Sequence, residues 1–399
     1  MNQYLSRLVN IAKKEKRTII GLMSGTSLDG LDIAVCEIGG SGLDTSIDVT
    51  HFKTVSYNAD FKDRIKTVFS KHDVDLEQVC LLHPWVAVKH AQMINQALAE
   101  WGINHRDVDI IASHGQTIYH APKILHGLAD YDNATLQIGD GDHLAVNTGI
   151  ITISDFRQKH IAAGGEGAPL AVYGDYFIFG KKGEDRIMLN IGGIANFTFL
   201  PGNMDASAIF STDIGTGNTL MDQFMQHHYQ LSYDADARIA SSGKIHSGLL
   251  YELQQHPFFQ KGFPKTTGPE LFNLAYLREA QNRAGAIAIS PEDIMCTLNA
   301  FSADTIVDAL KRSFNDSRNV VVYSSGGGMH NPLLMDSIKK ALPDFRFLTT
   351  QDLNIHPDAK EAVLFAILAN ETIAGSSTVI GGAKKAIPAI SMGKISFPG

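Results

Sequence analysis

The sequence predicts an α/β protein of two lobes, and three observations carry that prediction. The chain has 399 residues, above the size at which single hydrophobic cores divide. Two segments, 18–38 and 186–200, share one pattern: an apolar strand, a glycine-bearing turn and a returning strand. Each begins a mixed α/β stretch, as duplicated halves would. Apolar strands also repeatedly run into polar or glycine-rich loops, at 113–117, 213–218 and 324–328. Loops at strand C-termini in two α/β lobes predict a cleft between them. The polar break "KKGED" (181–185) sets the boundary. The lobes expected are 1–180, with an N-terminal extension, and 181–399, with the C-terminal helix able to pack back on the first.

Hydrophobic residues make up 44% and charged residues 19%, ordinary for a soluble globular enzyme. Formal charge is 34 − 42 = −8, which argues against nucleic acid or an anionic membrane as the main partner. Cys36, Cys80 and Cys296 are unclustered and suit a reducing cytoplasm. No run approaches the roughly 18 apolar residues of a membrane helix.

In chain order, "MNQYLSRLVNIAKKEKR" lacks the apolar core of a signal peptide; Tyr4, Leu5, Leu8 and Ile11 recur at helical spacing. Residues 75–100 carry apolar positions three and four apart and read as a helix. "VDIIASHGQT" (108–117) and "GIITISDF" (149–156) are buried strands with polar tips, and "AAGGEGAPLAVYGDYFIF" is a glycine loop entering a helix. "AIFSTDIGTGNTLMDQFMQHH" is strand, loop and helix, followed by a helical tract over roughly 245–312. "NVVVYSSGGGMHNPLLMDSIKKAL" is strand, triple-glycine loop and helix, and Pro357 opens the helix of "HPDAKEAVLFAILANET".

The strip "GLMSGTSLDGLD" (21–32) has two readings. Its backbone N–H groups and hydroxyls could form an anion nest, with Asp29 and Asp32 positioning Mg²⁺ through water. It could equally be a decorated hairpin with capping Asp and Ser. Three glycines in "SSGGGMHNPLL" (Gly326, Gly327, Gly328) exceed what a strand-to-helix turn needs and favour a nucleotide site. In "STDIGTGNTLMD", Gly215 and Gly217 form a second glycine nest expected to bind the cofactor, and Asp213 beside them is placed to act as a general base near a transferring phosphoryl group. There is no GxxxxGK[ST], no GxGxxG after a strand and no GxSxG elbow. His114 and His120 flank "GQTIY" without metal-ligand spacing and read as loop hydrogen-bonders or sugar contacts. Arg157 and Lys159 could pair with a substrate carboxylate or form surface ion pairs.

Taken together, "GLMSGTSLDGLD", "SHGQTIYHAP", "QIGDGDHLA", "SDFRQKHIAAGGEGAPL", "LNIGGIANFT", "DIGTGN", "PKTTGPELF", "SSGGGMHNPLLM" and "DAKEAVLFAILAN" resemble the anhydro-N-acetylmuramic acid kinase family, within the sugar kinase, Hsp70 and actin superfamily. The pieces run in order from residue 18 nearly to the end. The resemblance implies an α/β fold of two actin-like (ribonuclease H-like) lobes, with mixed sheets flanked by helices and an interdomain cleft. It implies ATP with Mg²⁺, a homodimer in the cytoplasm, and an enzyme that opens the 1,6-anhydro bridge of a sugar and phosphorylates O6. The strip Ser24, Gly25, Thr26, Ser27, Leu28, Asp29, Gly30 and Leu31 would bind ATP, with Asp29 holding Mg²⁺ through water. Asp213 would activate the water that attacks C1. Glu361 is the candidate second carboxylate near the sugar, and His114, Gln116, Thr117, Arg157 and Asn196 are candidate substrate contacts.

The chain departs from the family's usual pattern in several places. His160 stands where an acidic residue is usual, Glu166 where Gln is usual, and Ala235 where glycine is common. "DIGTGN" and "SSGGG" replace Asp-Thr-Gly-Pro-Gly-Asn and Cys-Gly-Gly-Gly, and the chain starts some fifteen residues before the usual start. Asp213 and the glycine nests remain. The expected activity is therefore an anhydro-N-acetylmuramic acid kinase of cell-wall recycling. The alternatives are a kinase for another anhydrosugar such as levoglucosan, and a non-catalytic ATP-binding regulator; a hydrolase acting without ATP is a poor third.

Overall fold

A computed structural model describes residues 2–25, 28–167, 170–268, 271–314, 320–353, 355–375 and 390–399. Thr26 and Ser27 of the predicted phosphate strip lie outside the described residues. The chain forms two compact units: 1–180 with 206–208 and 354–399, and 181–205 with 209–353. Residues 354–399 thus group with the first unit, a return that the sequence reading allowed for the last helix alone.

In chain order the first unit contributes α1 (Gln3–Ala12), β1 (Lys16–Ser24), β2 (Gly30–Gly39), β3 (Ser46–Ser56), α2 (Ala59–Lys66), α3 (Leu76–Trp101), β4 (Ile110–Ala121), α4 (Lys123–His126), β5 (Ala134–Ile138), α5 (Gly141–Thr148), β6 (Ile151–Ser154), α6 (Phe156–Ala162) and α7 (Ala171–Phe179). The second unit follows with β7 (Asp185–Ile191), β8 (Ile194–Leu200), β9 (Phe210–Thr216), α8 (Thr219–Tyr229), α9 (Arg238–Ser242), α10 (Ser247–Gln254), α11 (Leu274–Ala284), α12 (Pro291–Phe314), β10 (Val320–Ser325), α13 (Pro332–Ala341) and β11 (Arg346–Thr349). The chain then returns to the first unit as α14 (Lys360–Ala374) and β12 (Lys394–Ser396).

The two sheets share one plan. In the first, β6-β4-β1-β2-β3 runs as a parallel trio extended by an antiparallel meander, with β5 and β12 added at β4 and β6. In the second, β11-β10-β7-β8-β9 repeats that order and those directions. The duplication read from the two strand–turn–strand segments is therefore a duplication of topology. The parallel trios demand helical crossovers, which puts the carboxyl ends of their strands at one edge of each sheet.

The first unit is organised around α14. Ala362 to Ala369 are buried on every face, as expected of a helix apolar all round. The helix comes so close to β1 that a Cβ on Gly21 would lie 1.9 Å from the Ala362 carbonyl oxygen. Its far end is tied by Arg17, whose Nε donates to Asn370 Oδ1 (2.6 Å) and whose Nη2 donates to Gly40 O (2.6 Å), while the Gly42 N–H donates to Glu371 Oε1 (2.8 Å). On the other face of that sheet, a second apolar layer joins β1, β2 and β4 to α2 and α3 through Ile20, Ile33, Ile111, Phe61, Val86 and Ile94. In the second unit, Ile187, Leu189, Ile191 and Val322 pack against α12 and α13, and a helical cluster around Phe258, Phe272 and Phe301 lies beside them. No helix among the described residues is long and apolar enough to cross a membrane.

Gly21→Ala should destabilise the protein by about 3 kcal/mol or prevent its accumulation, since a rigid backbone must move to admit the methyl. Gly262→Ala, whose Cβ meets nothing within 4 Å, is the control. Equal urea midpoints for the two variants would contradict the packing described.

Candidate active site

In the first unit, the functional side chains gather where β1, β4 and β6 end. Ser24 closes β1, and its hydroxyl is buried in a directional chain. Gln116 Oε1 can only accept, so Ser24 Oγ donates to it (2.5 Å). Ser24 Oγ then accepts from Tyr57 Oη (2.7 Å), which accepts from His90 Nε2 (2.8 Å). Gln116 Nε2 in turn donates to Gly25 O (3.3 Å) and Thr117 O (3.1 Å). The Ser24 hydroxyl is thus spent on shaping the turn, and any phosphate contact from the described strip falls to backbone N–H groups. Leu28 sits in the left-handed region (φ 58°) with its side chain buried, and Asp29 is exposed. Gly30 and Leu31 belong to β2.

His114 donates from Nδ1 to Gly115 O (2.8 Å), the tautomer that leaves Nε2 to accept from Arg157 Nε (3.0 Å). Arg157, on α6, also donates through Nη1 to Gly167 O (2.8 Å). His160 is wholly buried and accepts the Gly167 N–H on Nδ1 (3.0 Å). The glycine loop at 164–167 is therefore clamped from both sides, and His160 acts on it from within. Burial pushes the His90 and His114 pKa values down to about 3 and that of His160 to about 4. All three are neutral at physiological pH.

Glu361, in the first turn of α14, is exposed, and its pKa is raised first by burial of its surroundings and also by Asp32, while Lys360 and Arg157 oppose the shift. Its exposure limits how far that upward push counts. Asp32 is raised too, chiefly by burial, with Thr54 Oγ1 donating to it (2.5 Å). Thr117 Oγ1 accepts from Gln137 Nε2 (3.1 Å). His120, Lys159 and Glu166 are exposed and are not drawn into this cluster. Ala235 lies in a short turn of the second unit.

In the second unit, the strand register builds a row. Ser325 pairs with Asn190, Asn190 with Asn196, and Asn196 with Asp213, across β10, β7, β8 and β9. Directly opposed residues share a sheet face, so a hydroxyl, two amides and a carboxylate stand side by side. The Asp213 backbone N–H donates to Lys265 O (2.9 Å), and the Thr267 N–H donates to Asp213 Oδ2 (2.9 Å). The glycine loops converge near this row: the Gly217 N–H donates to Gly193 O (2.8 Å) and the Asn218 N–H to Gly192 O (2.9 Å).

The triple glycine divides its labour. Gly326 (φ +83°) and Gly328 press on Asn190 and Ile191, where a Cβ would come within 2.5 and 2.3 Å respectively. Gly327 is exposed, with nothing nearer its Cβ position than Asn218 Nδ2 at 3.7 Å. Gly215 is buried against the Phe259 ring. Beside the loop lies a cavity of about 200 Å³ lined by Ser324, Met329, Met335, Phe347, Thr349 and Asp352, among others. Among the described residues, Ser324 Oγ is buried without a hydrogen-bond partner. Apolar walls and an unsatisfied hydroxyl suit a flat, hydrogen-bonding base, so the residues present fit a nucleotide. Among the described residues, no group of three or more His, Cys, Asp or Glu is placed to hold a metal ion.

Sequence reasoning missed Asn190, Thr267, Tyr57 and His90. Asn190 had a signal, a polar residue interrupting the apolar strand "IMLNIGG". Tyr57 and His90 had none, because they meet Ser24 only through the fold.

The two units share one α/β topology, and in the second a carboxylate and glycine loops stand at the strand ends, an arrangement open to phosphoryl-transfer chemistry. The sequence model of the family described as anhydro-N-acetylmuramic acid kinase matches residues 17–398. The chain is 58% identical over 400 residues to an anhydro-N-acetylmuramic acid kinase of Pseudoalteromonas atlantica, with 100% of each chain covered. It is 37% identical to one of Caldanaerobacter subterraneus, covering 98% of this chain and 100% of the other. The protein belongs to the anhydro-N-acetylmuramic acid kinase family.

Neutral burial of His160 has a sign that can be measured. Its folded pKa lies below the unfolded one, so the unfolded chain takes up the proton first as pH falls through about 6.5, and stability is lost in that window. His160→Gln should therefore gain on the wild type by about 1–2 kcal/mol between pH 7 and pH 5. Urea melts at the two pH values check this, and an unchanged difference would contradict it.

Proposed function

We propose that the protein hydrolytically opens the 1,6-anhydro ring of 1,6-anhydro-N-acetylmuramic acid and phosphorylates O6, yielding N-acetylmuramic acid 6-phosphate and ADP in the cytoplasm during peptidoglycan recycling. Water adds at C1 and gives a proton to Asp213, the C1–O6 bond breaks, and O6 takes the phosphoryl group. Phosphoryl transfer to the departing oxygen does the work that a protonated carboxyl does in a glycosidase. MgATP would supply that phosphoryl group. In the second unit, Gly217, Gly326, Gly327, Gly328 and the cavity at Ser324 would hold the nucleotide. Asp29 would meet Mg²⁺ through water.

The observation carrying this reading is the carboxylate of Asp213, held by the Thr267 N–H and aligned with Asn196 and Asn190 on one sheet face. The amides of Asn196 and Asn190 would hold the sugar or the attacking water. Glu361 and Arg157 would meet the sugar substituents, with His114, Gln116 and Thr117 supporting the surface on which they stand. The working form would be a homodimer.

Asp213→Asn should lower kcat by roughly 10²–10⁴-fold with the KM for ATP little changed, as loss of a general base does. ADP release is to be measured with Mg-ATP and anhydro-N-acetylmuramic acid, levoglucosan or no sugar. Turnover is expected with the first only. Near wild-type turnover by the variant, or turnover with levoglucosan alone, would overturn the assignment.

A further inference from the structure

The segment "PKTTGPELF" matches the family pattern and enters the chemistry above only through the Thr267 N–H and the Lys265 carbonyl, yet its lysine side chain is unusually placed. Lys265 is only 9% exposed. Its Nζ lies 4.2 Å from the centroid of Phe258, 5.0 Å from that of Phe263 and 5.7 Å from that of Phe259. It donates to Phe258 O (3.1 Å), and among the described residues no carboxylate pairs with it. Three ring faces and a carbonyl hold the ammonium by cation–π attraction and one hydrogen bond. Burial opposes them and pulls the pKa down to about 8. An apolar side chain could fill this space without that penalty, so the charge needs another explanation.

The backbone of the same residue supplies one. Lys265 N–H donates to Thr212 Oγ1 (2.9 Å), and Lys265 O accepts from Thr212 Oγ1 (3.2 Å) and from the Asp213 N–H (2.9 Å). Two residues on, the Thr267 N–H holds Asp213 Oδ2. The segment from Phe258 to Thr267 is thus a loop closed at its start by the Lys265 ammonium on Phe258 O and joined at its end to the carboxylate. From α12, Arg312 anchors the outside of the loop through Phe259 O (2.7 Å) and Lys261 O (3.1 Å).

We propose that Lys265 is a positioning residue for Asp213: its caged ammonium fixes the 258–267 loop on β9 and so aims the carboxylate. The inference rests on the reading of Asp213 as the base. A displacement of about 1 Å at a reacting group can cost on the order of 10²-fold in rate, so the effect belongs in kcat.

Lys265→Met and Lys265→Arg, each in the wild-type and Asp213→Asn backgrounds, separate the possibilities. Lys265→Met should lower kcat by roughly 10–100-fold with the KM for ATP within about twofold, and Lys265→Arg should recover part of the loss. In the Asp213→Asn background, Lys265→Met should cost nothing further, because the group it aims is gone. Equal losses in both backgrounds, or an unchanged kcat at an unchanged melting temperature, would overturn the proposal. If Asp213→Asn alone retains turnover, the reading of the base fails instead. Should Lys265→Met not fold, Phe263→Leu removes one ring of the cage and is held to the same standard: a kcat loss in the wild type only.

Discussion

The first unit depends on one close approach, that of α14 to β1 at Gly21. Any side chain there would drive the helix off the sheet, since the Cβ position is 1.9 Å from a carbonyl oxygen. Glu361 stands in the first turn of that helix, so its location beside Arg157 and Asp32 follows from how deeply the helix is seated. Phe365, four residues on, reaches His114 with ring centroids 4.8 Å apart. A helix from the C-terminal end of the chain thus sets both the carboxylate and the floor under the histidine. The Arg17–Asn370–Glu371 network at its other end stops it sliding, because each buried polar group there needs its partner in register.

The second unit solves a different problem. A carboxylate, two amides and a hydroxyl must face the same way, and hydrogen-bonded strands deliver that without special loops, because opposed residues share a face. Register alone therefore aligns Ser325, Asn190, Asn196 and Asp213. The bulge between Ala195 and Asn196 sits at the end of this row, where a local increase in twist re-aims a side chain. Gly326 and Gly328 then let the next loop lie flat against Asn190 and Ile191, leaving Gly327 open.

Much of this was legible in the sequence, for definite reasons. The strand–turn–strand segments announced the duplicated topology because buried strands read as continuous apolar runs. Asp213 and the triple glycine stood out because turns do not require that composition. The edge strand β3 is half polar, "SIDVTHFKTVS", and α6 is a seven-residue helix, too short for a periodicity to show. What the hydroxyls of the strip do could not be read at all. Ser24 looks like a phosphate ligand in the sequence, yet Tyr57, 33 positions away, engages it in the fold and is itself held by His90.

That chain also explains why burial and function do not conflict here. His90 Nε2–H donates to Tyr57 Oη, Tyr57 Oη–H to Ser24 Oγ and Ser24 Oγ–H to Gln116 Oε1, and the polarity is fixed from that acceptor end. A charge on His90 would be buried with a desolvation penalty, and that burial pushes its pKa down to about 3. The network is neutral, satisfied and directional, which is the condition under which buried polar groups rigidify a structure instead of weakening it. The end of β1 at Ser24 and Gly25 is held by neutral side chains alone. The buried network at Ser24 carries no charge, whereas the charged groups of the first unit's cluster, Arg157 and Glu361, lie outside it.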